Sequence, residues 1–144
     1  MYRGDLATAL RSMGELDAVL DELIQVPRKI AVDVAPKITK LLQREFSQGV
    51  NPYGRRWARL STGAPSHLRK TGKLARGTRA MPGIGGRAGI RVVVGAPYGA
   101  FHQTGTSNMP ARKILPDRGM PSSWRTAFEM SARKLAREAT RRMR

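Results

Sequence analysis

Two histidines, His67 and His102, and no cysteine are the whole supply of imidazole and thiol in this 144-residue chain. A catalytic histidine needs a nucleophile to activate or a carboxylate to orient it, and residues 51–116 contain no acidic side chain. A metal site needs several ligands, and two histidines without cysteine do not supply them. The residue inventory therefore predicts no catalytic constellation, no metal site and no cofactor. His102 and its neighbour Gln103 are expected to satisfy backbone groups within a loop. Asp117 is the nearest acid in sequence and is the expected partner of Arg112 or Arg118. The glycines of P-G-I-G-G-R-A-G (residues 82–89) do not form a phosphate cradle, because the G-x-x-x-x-G-K-[ST] pattern is missing and the loop joins two expected strands.

The chemistry that remains is recognition of anions. The net charge is +17, and it is unevenly spread. Residues 1–50 hold seven basic and seven acidic side chains, residues 51–116 twelve basic and none acidic, and residues 117–144 eight basic and three acidic. A block of one sign repels itself unless a polyanion or an acidic partner lies near, and nucleic acid is the first candidate. Arg79, Arg87 and Arg91 surround the glycine-rich segment and are the expected contacts to DNA phosphates. A second basic cluster, Arg137, Arg141, Arg142 and Arg144, exceeds what the C-terminus of a helix needs to offset its dipole. The absence of cysteine suits a protein made in a reducing cytoplasm. No apolar run approaches the roughly 20 residues that a membrane span needs, and the N-terminus lacks a basic-then-apolar signal pattern.

The elements that must position these groups follow from periodicity. Leu6, Leu10, Met13, Leu16, Leu20, Leu23 and Ile24 fall at three- and four-residue spacings, which predicts one amphipathic helix or a pair of them broken at Gly14. Pro27 suits the first turn of a further helix, with Ile30, Val34, Ile38, Leu41, Leu42 and Phe46 inward and Gly49 as its stop. Pro36 inside that pattern predicts a kink or one lost backbone bond. Asn51-Pro52-Tyr53-Gly54 reads as a turn, after which Trp57 and Leu60 are expected to anchor the loop. Arg55, Arg56 and Arg59 around Trp57 resemble the basic-aromatic surface of single-strand binders, but burial of Trp57 is the favoured reading. A helical turn is expected within 66–75, on buried Leu68 and Leu74. Strands are expected near 78–81, at 90–94 and at Ile114–Leu115. A last helix, capped by Ser122 or Ser123, turns Trp124, Ala127, Phe128, Ser131, Leu135 and Ala139 inward. The sum is one α+β domain over residues 1–144: a helical part (1–50), a loop and sheet part (51–121) and a C-terminal helix (122–144). A small antiparallel sheet packs on the long N-terminal helix pair and the C-terminal helix.

Two aromatic islands inside turn-rich sequence carry a further signal. F-x-x-G-x-N-P-Y-G-x-x-W-x-x-L runs from Phe46 to Leu60, then L-x-x-T-G-x-L from Leu68 to Leu74. V-G-x-x-Y-x-x-x-H-Q-x-G-T follows from Val94 to Thr106, then P-A-R from Pro110 to Arg112. In this order the motifs resemble the tail-completion (virion morphogenesis) proteins of tailed bacteriophages. The segment between Leu60 and Leu68 is shorter than the Lys-rich loop that members of that family often carry. The resemblance implies a structural, non-enzymatic virion protein that completes the tail or joins it to the head at the neck. It implies a homo-oligomeric ring, commonly hexameric, bound to tail-tube and head-completion or connector proteins. Assembly would take place in the host cytoplasm, and the finished ring would touch the genomic DNA without regard to sequence. Tyr53, Trp57, Tyr98, His102, Gln103 and Arg112 are the loop-anchoring residues that it implies. The competing reading is a stand-alone basic nucleic-acid-binding protein. Against it stand the lack of a known nucleic-acid-binding motif and the few aromatics. An enzyme ranks third.

Overall fold

The computed structural model describes residues 6–68, 70–83 and 89–142. Its first element, helix α1 (Leu6–Gln48), has 43 residues and is about 65 Å long. The expected helix pair is thus one continuous helix that passes through Gly14, Pro27 and Pro36. Each interior proline removes one backbone bond at about 3 kcal/mol. Packing outweighs that cost downstream, where Ala31, Val34, Ala35, Ile38, Leu42 and Phe46 are all buried. Pro36 and the residue four before it, Val32, are both exposed, so the carbonyl that Pro36 leaves unbonded lies where water can reach it. The side chains of the amphipathic stripe from Leu6 to Ile24 lie outside the described set, as do Arg87 and Arg144.

Helix α2 (Lys73–Gly77) is followed by β1 (Arg79–Pro82) and β2 (Ile90–Val93). Helix α3 (Gly99–Thr104) and helix α4 (Ser122–Arg142) complete the order. The strands form one antiparallel hairpin, with Ala80 opposite Val92 and Met81 opposite Arg91. Period-two alternation puts Ala80, Ile90 and Val92 on the inner face. There they pack with Val34, Ile38 and Leu42 of α1 and with Trp124 and Ala127 of α4. The free edge of β1 is tied to α1 by Thr39, whose hydroxyl accepts from the Ala80 N–H (2.9 Å) and donates to the Ala35 carbonyl (3.0 Å). The architecture is a small α+β fold, with a two-stranded antiparallel sheet against a long helix and a C-terminal helix.

A second core sits under the loops at the C-terminal end of α1. Phe46, Trp57, Leu74, Ala75, Ala96 and Ile114 form it. Gly49 ends α1 with φ +67°, and a Cβ there would stand 2.6 Å from the Ser66 carbonyl oxygen, so the 66–67 segment closes directly over the helix end. Gly77 and Gly95 pass just as closely: a Cβ on Gly77 would lie 2.6 Å from the Gly95 Cα. The expected helical turn within 66–75 forms later, at Lys73–Gly77. No strand forms at Ile114–Leu115, because side chains from α3 take up the backbone groups that a ladder would have used.

Candidate functional site

The loop half is built from side chains that serve backbone groups. Asn51 starts its turn by accepting the N–H groups of Tyr53 (3.0 Å) and Arg55 (2.9 Å), and Gly54 closes it at φ +83°. The Tyr53 hydroxyl then reaches across the chain. It accepts from the N–H groups of Asp117 (3.1 Å) and Arg118 (2.7 Å) and donates to the Gly119 carbonyl (2.8 Å). Trp57 is buried edge-on against Phe46, with ring centroids 5.6 Å apart, and its indole N–H donates to the Lys113 carbonyl (2.8 Å). The Gln103 side-chain carbonyl accepts from the N–H groups of Ile114 (2.8 Å) and Leu115 (2.9 Å), while its amide donates to the Leu115 carbonyl (3.0 Å). Arg112, only 5% exposed, donates from Nε to the Ala58 carbonyl (2.8 Å) and from Nη2 to the Arg59 carbonyl (2.9 Å). One of the twelve cations of the acid-free block is therefore a structural clamp.

Three of the predicted residues meet at one place. Tyr98, His102 and Arg112 line an open groove of about 800 Å³, shared with Leu60, Leu68 and Met109. Leu60 is 44% exposed there, so it forms part of the groove wall, and the loop anchor expected of it is supplied by Trp57 alone. His102 stacks edge-on with Tyr98 at 6.0 Å. Its side chain satisfies no backbone group: Nδ1 is buried with no hydrogen-bond partner, because Gln103 takes the backbone work expected of both. Burial, and then the charge of Arg112, lower the imidazole pKa, which keeps the ring neutral near neutral pH. Asp117 pairs with Lys113 and, at 3.8 Å, with Arg118, and Arg112 turns away to its two carbonyls. Among the described residues no group of three or more His, Asp or Glu side chains could hold a metal ion.

The second place is the outer face of the hairpin. Arg79 and Arg91 both lie there, exposed, beside half-buried Met81 and Val93. Arg79 faces Val93 and Arg91 faces Met81, which makes the two arginines diagonal neighbours, about 7 Å apart for that relation. Arg87, the third expected contact, is outside the described residues. A third basic surface runs along α4, where Arg133, Arg137 and Arg141 recur every fourth residue and are exposed.

The groove and the arginine face are joined by residues that sequence reasoning passed over. Gln43 of α1 donates to the carbonyls of Ala75 (2.6 Å) and Thr78 (3.1 Å), fixing the segment that leads from the groove into β1. Thr39 and Gln43, four residues apart beside the apolar stripe, were the available signal, since polar side chains at a helix interface are expected to hold specific partners. Phe101 is 57% exposed on α3, next in sequence to the groove-lining His102.

No protein-family model, curated protein or solved structure matches the chain significantly. Among the described residues no helix is long and apolar enough to cross a membrane.

Proposed function

We propose that this chain is a structural virion protein of a tailed bacteriophage, which completes the tail or joins it to the head as a homo-oligomeric ring around the DNA path. The observation that carries the reading is the acid-free block of residues 51–116, with Arg79 and Arg91 exposed as diagonal neighbours on the outer face of a hairpin. Such a face suits phosphate contact, which fixes position without reading sequence. The resemblance of the loop motifs to tail-completion proteins adds the ring and its partners, a tail-tube protein and head-completion or connector proteins. The residues of those motifs are also the ones that tie the loops together, through Asn51, Tyr53, Trp57, Gln103 and Arg112. The protein is assigned no catalytic role and no cofactor.

The ridge of Arg133, Arg137 and Arg141 on α4 favours a second reading, a basic protein that binds nucleic acid on its own. Native mass spectrometry of the full chain, alone and with tail-tube protein, separates the two. The first reading expects a closed oligomer of fixed subunit number in at least one condition. A strict monomer in both would favour the second.

A further inference from the structure

The groove beside His102 is apolar and faces a surface with cations and no carboxylate, and the same chain carries a segment of opposite character. Residues 12–27 hold four acidic side chains, Glu15, Asp17, Asp21 and Glu22, and no basic one. Within the same span Met13, Leu16, Leu20, Leu23 and Ile24 recur at helical spacing. This acid-only, leucine-rich segment lies in the N-terminal half of α1. The groove lies at the other end of that helix, since His67, which lines it, packs over Gly49.

Within one molecule the N-terminal half of α1 runs beyond its partners. The first buried residue described in the helix is Ala31, and Gly14, Asp17 and Ala18 are exposed. Helix α4 runs antiparallel to α1, with Ser131 donating to Asp33 (2.6 Å). From Ser131 to its end at Arg142 it covers only about 16 Å more, which brings it to the neighbourhood of Glu22. The turns before that point have no helix of their own chain beside them among the described residues.

We infer that residues 12–21 of one copy, the turns of α1 that reach past α4, dock in the Leu60–Leu68–Tyr98–His102 groove of the next copy, and that this head-to-tail contact closes the ring. The inference rests on the ring reading above and names its interface. Contact between different surfaces at opposite ends of α1 is heterologous, the kind that generates rings when the rotation closes. Leucines of the arm would cover Leu60, Leu68 and Tyr98, and Asp17 and Asp21, which share one side of the helix, would meet Lys70 at the groove rim.

The chain has no cysteine, so introduced thiols report contacts without background. Full-length Asp17→Cys and Thr71→Cys variants are mixed and oxidised, after native mass has established that the wild type forms an oligomer. The expected result is a disulfide between the two different variants that neither variant forms alone. Asp17→Lys together with Asp21→Lys, one turn further along the same side of the helix, is expected to weaken the oligomer about tenfold, and Lys70→Glu in the same chain is expected to restore most of the loss. Circular dichroism checks that each variant is folded. An oligomer with no cross-link between the two variants and no response to charge reversal would overturn this interface while leaving the ring intact. Disulfides of Asp17→Cys with itself would show arm pairing with arm and would also overturn it. A wild type that stays monomeric would remove the ring reading and this interface together.

Discussion

The two halves of the molecule are held together by different chemistry. Helices α1 and α4 are joined by side chains that meet side chains: Asp33 accepts from Ser131 (2.6 Å) and Lys134 (3.0 Å), and Lys37 donates to Ser131 (2.9 Å). Glu45 accepts from the Trp124 indole at 3.3 Å. The loop half is joined by side chains that meet the backbone, at Tyr53, Trp57, Gln103 and Arg112. Regular elements satisfy their own backbone groups, so their side chains are free to pair with one another, and acids and bases can balance. Irregular chain leaves N–H and carbonyl groups that cost free energy if buried without partners, and neutral or cationic donors serve them. A loop half built in this way uses a single carboxylate, Asp117, paired with Lys113 and Arg118, and its cations outnumber its acids.

Among the backbone ties of the loop half, Arg112 is expected to contribute most. Arg112→Ala leaves the Ala58 and Arg59 carbonyls without their donor and is expected to cost about 3 kcal/mol, against about 2 kcal/mol for Gln103→Ala. Urea unfolding reads both losses, and a cost below about 1 kcal/mol for each would mean that the loops are held by packing alone.

Glu45 gives the next effect, with the opposite sign. Burial pushes its carboxyl up to about 7, only partly offset by the Trp124 hydrogen bond. A raised carboxyl binds a proton more tightly in the folded protein, so its ionisation lowers stability as pH rises from about 4.5 to about 7. Glu45→Gln is therefore expected to raise stability by about 2 kcal/mol at pH 8, with the gain vanishing near pH 4.5. Thermal melts across that range check it.

The smallest effect belongs to Asp33. Hydrogen bonds from Ser131, Lys37 and Lys134 hold its carboxyl well below the usual carboxylate range. The stability it adds is present above its unfolded value, near pH 4, and is lost as pH falls. Asp33→Asn is expected to cost about 1 kcal/mol at pH 7, and the difference from wild type should shrink toward pH 2. Acids in the helical half thus act with opposite pH signs, whereas residues 51–116 contain none to titrate.

Legibility followed the same division. The inward stripe Val34, Ile38, Leu42, Phe46 and the stripe on α4 were readable, because burial imposes the helical period on residue type. The hairpin was readable from a β-branched run after glycines. The continuity of α1 through Pro27 was not, since local proline chemistry argues for a boundary and only tertiary packing overrides it. Gln103 was expected to serve the loop backbone, but its partners at 114–115, like those of Tyr53 at 117–119, are backbone groups that every residue carries. The expected strand at Ile114–Leu115 failed for that reason: extended chain was foreseen, but a glutamine replaced the ladder. Convergence of Leu60, Leu68, Tyr98 and His102 on one groove depends on those long-range ties and has no local signature.

If the loop half meets DNA while the helical half holds the fold, the salt dependence of DNA binding will report it. Contacts to phosphate release counterions, giving a log–log slope of about −0.9 for each phosphate neutralised. Changing Arg79, Arg87 and Arg91 to glutamine is expected to flatten the slope, equally on DNA of any sequence, while the oligomer keeps its mass. Changing Arg133, Arg137 and Arg141 to glutamine is expected to leave the slope near that of the wild type. A full slope in the hairpin variant, with loss of slope in the α4 variant, would contradict the account.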